Sequence, residues 1–223
     1  FHTRVGLDDV SVEGIRAITA DDIREAHASG CELKLLAIAQ RREDEHAHGV
    51  SVRVHPALVP SDHPLASVHG AYNAVLVEAE SAGRLMFYGQ GAGGAPTASA
   101  VLSDVVAAAA HRVHGGQAPR ESSYAHLPVL GPESAVTRYQ IQLRSDDSVG
   151  SLAAMASVFA ENGVSINSVR QSAYVTADGS EDQAVVTFVT HPAPVSHLDA
   201  AVEGLRASER VAEVVSIQRV EGE

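Results

Sequence analysis

Residues 137–223 carry the most regular pattern in the sequence, and this pattern restricts the fold. Alternation in "RYQIQLR" predicts a strand, and the spacing of Leu152, Met155 and Phe159 predicts a helix that ends at Asn162-Gly163. Two further strands, a helix and a last strand are then predicted in "VSINSVRQSAYV", "QAVVTFVT", "VSHLDAAVEGLRAS" and "VAEVVSIQRV". The resulting βαββαβ order is that of the ferredoxin-like split βαβ arrangement.

The first part of the chain predicts a sheet with few helices. "GIRAI" (14–18) is strand-like, and Thr19 with Asp22 predicts a capped helix that stops at Gly30. A buried strand is predicted in "ELKLLAIAQ", an exposed turn in "RREDEHAHG" and a strand in "VSVRVHP". The prolines of "HPALVPSDHPLASVHG" predict an irregular stretch before the strands "NAVLVEAE" and "RLMFY".

A glycine-rich turn leads from the last of these strands into a helix in "FYGQGAGGAPTASAVLSD", residues 87–104. Gly89, Gly91 and Gly94 have G-x-G-x-x-G spacing, and the apolar residues that follow recur on one helix face. Gly115-Gly116 lies beyond the predicted helix end. Segment 114–136 has no period and is rich in Gly, Pro and Ser, which predicts a linker.

Two interpretations of the glycine turn follow from the residues. The sequence around the glycine turn differs from a Rossmann fingerprint, because no second strand ending in Asp or Glu follows about 20 residues later. Glycines let a backbone approach a dinucleotide closely, and a helix N-terminus favours an anion. The alternative is a purely structural turn and helix cap.

Composition excludes some classes of partner. The 28 acidic residues against 16 basic ones give a net charge of −12, which disfavours nucleic-acid binding. No apolar run reaches the roughly 20 residues that span a bilayer, and we expect a cytoplasmic protein. The single cysteine, Cys31, excludes an intrachain disulfide and is expected to be a buried structural thiol. A start at Phe1 without a signal-like segment suggests a piece of a longer protein.

The histidines and acidic clusters predict no metal site. His55, His63 and His69 are widely spaced, and His46 and His48 lie in a charged turn. The remaining polar clusters are expected to lie on the solvated surface. They are Asp8, Asp9 and Glu13 near the start of the chain, and Ser122 and Ser123 in the linker.

The segment "RYQIQLRSDDSVGSLAAMASVFAENGVSINSVRQ" resembles the ACT domain, a small-molecule sensing module of amino-acid biosynthetic enzymes. The match consists of D-x-x-G-x-L-A after the first strand and G-V-S-I-x-S-x-x-Q after the helix. Val149 and Ser151 stand where that family often has Pro and an apolar residue. The resemblance implies that an amino-acid effector, usually gripped across a dimer interface, is bound by Asp147, Gly150, Asn162, Asn167 and Gln171. Asp147 as a helix cap and Asn162 as a helix stop are the alternatives.

Residues 1–113 resemble the substrate and dimerisation domain of homoserine dehydrogenase. The matching segments are "DDVSVEGIRAITADDIREAHASGCELKLLAIA", "VSVRVHPALVPSDHPLASVHGAYNAVLVEAE" and "LMFYGQGAGGAPTASAVLSDVV". The two resemblances imply an α+β fold: a mixed-sheet domain over 1–113, a linker over 114–136 and a ferredoxin-like βαββαβ ACT domain over 137–223. In this family the glycine loop closes onto NAD(P) held by a separate nucleotide-binding domain, which implies cofactor contacts by Gly93, Gly91, Ala92 and Thr97.

The resemblance also implies an activity and a regulator. Homoserine dehydrogenases interconvert L-aspartate 4-semialdehyde and L-homoserine in threonine and methionine biosynthesis, and threonine is the implied effector. Their catalytic lysine is expected upstream of Phe1, while Lys34, the single lysine here, reads as a solvated strand residue. We therefore expect no catalytic residue in this chain and no activity from it alone.

A different class of function is also open at this point. A stand-alone regulatory protein would combine an amino-acid sensor with a sheet that serves only to dimerise. The retained glycine loop favours the enzyme, and the absence of the catalytic groups favours the sensor. Both readings predict a homodimer or homotetramer, because pairing between subunits would cover exposed sheet edges.

Overall fold

A computed structural model describes residues 1–44, 47–116, 125–174 and 183–222. The strands are β1 (Ser11–Val12), β2 (Cys31–Asp44), β3 (Ala47–Pro60), β4 (Tyr72–Ala79), β5 (Gly83–Gln90), β6 (Val136–Asp146), β7 (Ile166–Tyr174), β8 (Gln183–Thr190), β9 (Ala193–Pro194) and β10 (Val211–Val220). The α-helices are α1 (Ala20–Ala28), α2 (Gly94–His114), α3 (Ser151–Glu161) and α4 (Val195–Ala207). Short 3-10 helices lie at Leu7–Asp9, Pro64–Ser67 and Pro132–Ser134. Within the described ranges, no helix combines the length and the apolar character that crossing a membrane requires.

The C-terminal unit, residues 136–222, has the predicted βαββαβ order. Its strands lie in the order β10-β6-β8-β7, and each neighbouring pair is antiparallel. Helices α3 and α4 contribute Phe159 and Leu198 to a core that includes Ile141 and Phe188 of the sheet, and all four side chains are buried. Removal of this apolar surface from water is the main source of stability for the unit.

Strand β3 joins the first half of the chain to the C-terminal unit. It pairs antiparallel with β2 along its length and parallel with β10 at Ala57–Arg219 and Leu58–Val220. Strand β1 also pairs with β3, in parallel. The result is one eight-stranded mixed sheet, which confirms the mixed-sheet expectation.

Helix α1 begins and ends where the sequence predicts. The Asp22 N–H donates to Thr19 Oγ1 at 3.2 Å, and the Thr19 N–H donates to Asp22 Oδ2 at 2.8 Å, which completes a capping box. Gly30 follows the helix with a φ of +70°, a conformation that glycine adopts without a Cβ penalty. Ala26 is fully buried and packs with Leu58 of β3.

Two strand expectations for the first half are wrong. Residues 14–18 form a turn in which the Ile18 N–H donates to Ile15 O at 3.1 Å, and the short strand lies earlier, at Ser11–Val12. Ile15 is exposed, so no burial favours an extended conformation there. Strand β2, expected to be buried, is only partly covered, and Leu35 within it is exposed.

Strand β3 also extends through residues expected to be irregular. It continues to Pro60, and Pro56 lies between the positions that pair with β1 and those that pair with β10. Among the described residues, no strand pairs with Pro56 on the side of β3 where β1 and β10 lie. The missing N–H of Pro56 therefore removes no ladder hydrogen bond on that side. The turn expected in "RREDEHAHG" is shorter than predicted, because β2 and β3 pair up to Asp44 and Ala47.

Part of the predicted linker is held against β3. The Val50 N–H donates to Pro128 O at 2.9 Å, and the Leu130 N–H donates to Val50 O at 2.9 Å. Gly49 permits this approach, since a Cβ at that position would lie 2.5 Å from Pro128 O. Ser122 and Ser123 of the same predicted linker lie outside the described residues.

Candidate functional site

The glycine loop, residues 91–93, connects β5 to α2 in a conformation that depends on two glycines. The Gly91 N–H donates to Ala71 O at 3.1 Å, and a Cβ on Gly91 would lie 1.5 Å from Asn73 Nδ2. Gly93 has a φ of +122° and a ψ of +147°, a backbone region that L side chains rarely adopt. The contact with Asn73 therefore requires glycine at position 91, and the backbone conformation favours glycine at position 93.

The glycine loop and the first turns of α2 form one shallow, open surface. Gly93 is the N-cap and offers no side-chain cap, and the Thr97 N–H donates to Gly93 O at 3.1 Å as the helix begins. The residues along this surface are Gly91, Ala92, Gly93, Gly94, Thr97, Ala98, Val101 and Leu102. All four predicted cofactor residues thus line one surface that combines uncapped N–H groups with apolar side chains.

Exposed apolar residues also occur outside this surface. Helix α2 has no buried residue, although its apolar stripe follows the predicted helical spacing. On the β4–β5 hairpin, Val75 pairs with Phe87 and Val77 with Leu85, and all four side chains are exposed. An exposed apolar sheet face of this kind is typical of an interface.

Three of the five predicted effector residues lie close to the start of α3 in the C-terminal unit. They are Asp147, Gly150 and Gln171. Gly150 is the N-cap of α3 and has a φ of +90°. Asp147 lies in the loop between β6 and α3. The Gln171 side chain on β7 donates to Asp147 Oδ1 at 3.0 Å. Asp147 and Gln171 therefore meet although 24 residues separate them.

The other two predicted effector residues lie away from this pair. Asn162 ends α3, and its Nδ2 donates to Val158 O at 2.8 Å, so it caps the opposite end of the helix. Asn167 lies in a β-bulge between the paired residues Ile166 and Ser168. Gln171 lies four positions further along the strand, a distance of about 13 Å. Within one chain, the five residues do not form a single site.

The other singled-out residues have structural partners. Lys34 Nζ donates to Val68 O at 2.6 Å and lies 3.4 Å from His69 Nδ1, so it is more constrained than the solvated residue that the sequence suggests. Cys31 is half-buried, and desolvation raises the pKa of its thiol. No cluster of potential metal ligands occurs in the part of the chain that the structure describes.

A buried polar cluster between the two halves of the chain was not predicted. Glu221 Oε1 accepts from Arg53 at 3.2 Å and from Thr137 Oγ1 at 3.1 Å, and His55 Nε2 lies 3.6 Å away. Burial lowers the pKa of His55. The cluster depends on the parallel pairing of β3 with β10, and no local pattern in the sequence indicates that pairing.

The chain is similar to known proteins along its whole length. The family model for homoserine dehydrogenase matches residues 1–106. A homoserine dehydrogenase of Mycobacterium tuberculosis is 52% identical over 223 residues, which are 100% of this chain and 51% of that protein. One from Corynebacterium glutamicum is 50% identical over 222 residues, 99% of this chain and 48% of that protein.

A solved structure agrees with these sequence matches. The crystal structure of a homoserine dehydrogenase from Thiobacillus denitrificans matches with a TM-score of 0.85 and 32% identity, and the match covers 100% of this chain and 50% of that one. The chain therefore spans about half the length of the relatives that it matches.

Proposed function

This chain belongs to the homoserine dehydrogenase family, and we propose that it contributes a cofactor-facing loop and a regulatory unit to an NAD(P)-dependent oxidoreductase. The reaction proposed for the whole enzyme is the interconversion of L-aspartate 4-semialdehyde and L-homoserine. The observation that carries this proposal is identity of 50% and 52% to two dehydrogenases over 99% and 100% of the chain.

The glycine loop supports contact with the cofactor. When bound, NAD(P) supplies the hydride acceptor for the alcohol and the hydride donor for the aldehyde. Gly91, Ala92 and Gly93 would lie against it, since they line the surface at the start of α2 and carry no side chain longer than a methyl group. The N-terminal N–H groups of α2, near Thr97, favour a negatively charged phosphate. Val101 continues the surface with an exposed apolar side chain.

We propose that the group which transfers the substrate proton is supplied from outside this chain. Lys34 is the single lysine of the sequence, and its ammonium already donates to a backbone carbonyl, Val68 O. That contact supports a role in fixing the loop after the Pro64–Ser67 helix rather than a role in proton transfer. The isolated chain is therefore expected to be inactive.

The C-terminal unit is proposed to be an ACT regulatory domain that binds an amino acid, with threonine as the effector. Its βαββαβ order and the contact between Gln171 and Asp147 support this assignment. A site that also used Asn162 and Asn167 would need a second copy of the chain, because one chain holds them apart from Asp147. A homodimer is accordingly part of the proposal.

A chimera tests the proposed function. The half of the M. tuberculosis homoserine dehydrogenase that matches this chain is replaced by residues 1–223, and homoserine-dependent NADP⁺ reduction is measured. We expect activity from the chimera and none above the buffer blank from the 223-residue chain. A chimera that folds, binds NADP⁺ and yet has no activity would contradict the proposal, as would turnover by the chain alone.

The sensor interpretation has less support. The two relatives described above match nearly the whole chain, and both are named as dehydrogenases. In a sensor, the uncapped loop at Gly93 would bind no cofactor and would serve only as a turn.

A further inference from the structure

Helix α1 contacts the face of the C-terminal sheet that α3 and α4 leave open. Gln140 and Thr187 lie on this face, and they are only 5% and 6% exposed. At one side of the face, Gln218 of β10 donates to Asp22 of α1 at 3.4 Å. At the other side, Arg170 of β7 forms an ion pair with Glu25. The helix therefore crosses the sheet from β10 to β7.

Strand β7 contacts α1 with one face and the candidate effector loop with the other. Adjacent strand residues point to opposite faces, so Arg170 and Gln171 face opposite ways. Gln171 lies opposite Val186, on the core side, and holds Asp147. Arg170 lies opposite Thr187, on the α1 side.

The guanidinium of Arg170 binds the C-terminal end of α1 at several points. Besides the ion pair with Glu25, it lies 3.5 Å from Ala28 O and 3.4 Å from Ser29 Oγ. A cation at a helix C-terminus is stabilised by the free carbonyl groups and by the helix dipole. Displacement of Arg170 therefore acts directly on α1.

Strand β7 lies at the edge of this sheet. Among the described residues it pairs with β8 alone, and its ladder is interrupted by the bulge at Asn167. Bulges weaken pairing locally and redirect the side chains beside them. Helix α1, in turn, packs through Ala26 on Leu58 and Leu33 of the first half of the chain.

We propose that Arg170 is the residue through which occupancy of the effector site acts on α1, and through α1 on β2 and β3. This inference rests on the proposed function, because it takes an amino acid to bind at Asp147 and Gln171. A ligand that engages these two side chains changes the position of β7, and Arg170 on its opposite face then tightens its hold on α1. By linkage, the state of α1 also sets effector affinity.

The experiment uses hydrogen–deuterium exchange of residues 20–28, together with L-threonine affinity measured by calorimetry on the same protein. The variants are Arg170→Ala, Glu25→Arg, and the double variant Glu25→Arg with Arg170→Glu, which restores opposite charges. Arg206→Ala is the matched control, because it removes an exposed ion pair with Glu203 that lies within α4.

We expect threonine to slow exchange in α1 of the wild-type chain. In Arg170→Ala this slowing disappears while the Kd for threonine stays within about fivefold, the range that an exposed ion pair allows. The charge-reversed double variant regains part of the slowing, and Arg206→Ala behaves like the wild type.

Other outcomes overturn the inference in distinguishable ways. If threonine binds to the wild type without changing hydrogen exchange in α1, the coupling is refuted and the effector site is retained. Retained slowing in Arg170→Ala, or its loss in Arg206→Ala, shows that the signal does not pass through this contact. Absence of threonine binding to the wild type overturns both the effector site and the coupling.

Discussion

Replacement of Gly93 by alanine separates a cofactor-facing loop from a purely structural turn. At φ +122° and ψ +147°, Gly93 occupies a region close to the one that only glycine populates readily. An L side chain there costs on the order of 1–3 kcal/mol. The new Cβ itself meets little resistance, since its nearest neighbour is Pro96 Cδ at 3.4 Å. The expected penalty is therefore backbone strain rather than a clash.

That strain is expected to appear in cofactor affinity. If the observed loop conformation is the one that contacts NAD(P), 1–3 kcal/mol corresponds to a loss of about 5- to 150-fold in affinity. In the chimera described above, the KM for NADP⁺ should rise and kcat/KM should fall by a factor in this range. Urea unfolding of the chain should show a decrease in stability no larger than the strain itself.

The matched control is the next residue. Gly94 is the first residue of α2, its φ is not in the left-handed region, and a Cβ there would meet nothing within 4 Å. Gly94→Ala should therefore leave the unfolding free energy unchanged or raise it by up to about 1 kcal/mol. A Gly93→Ala enzyme that loses stability but keeps its KM for NADP⁺ would refute the cofactor role and leave the loop as a turn.

Three further predictions concern stability and are checked by urea unfolding. Phe159→Ala should cost about 3–5 kcal/mol, because Phe159 is fully buried with its ring 5.0 Å from that of Phe188. Thr19→Ala should cost about 0.5–2 kcal/mol through loss of the α1 cap, and Thr19→Ser should restore most of it. Burial lowers the pKa of His55, so the unfolded chain takes up a proton at a higher pH than the folded chain, and stability should fall as the pH decreases below about 6.5. His55→Gln should reduce this slope by up to about 1.4 kcal/mol per pH unit, and His114→Gln on the exposed face of α2 should not.

Features that depend on near neighbours in the chain were predictable from the sequence. The capping box of Thr19 with Asp22 fixes the start of α1 through contacts within one turn. The βαββαβ order likewise follows from periodicity, because each element of the C-terminal unit buries one face in its core. The glycine turn and the helix that follows it also lie where the sequence predicts, although the contact of Gly91 with Asn73 was not predicted.

Features that depend on distant segments were not predictable in the same way. Pro56 reads as a strand breaker, yet it is tolerated in β3 because β1 and β10 pair on either side of it. The same pairing buries Arg53 and His55 beside Glu221, and no local pattern in the sequence indicates that burial. The contact of Gln171 with Asp147 likewise joins residues 24 positions apart and follows only from the folded unit.

The distribution of apolar surface connects the loop to the rest of the proposed enzyme. The C-terminal unit buries its own core, whereas α2 buries none of its residues and leaves Val105 and Val106 more than half exposed. A helix without tertiary packing is only marginally stable in water, so the order of α2 depends on whatever packs against that stripe. The same helix begins at the loop that is proposed to face the cofactor. Packing on α2 and cofactor binding must then stabilise each other, because each favours the same conformation of the Gly91–Gly94 turn.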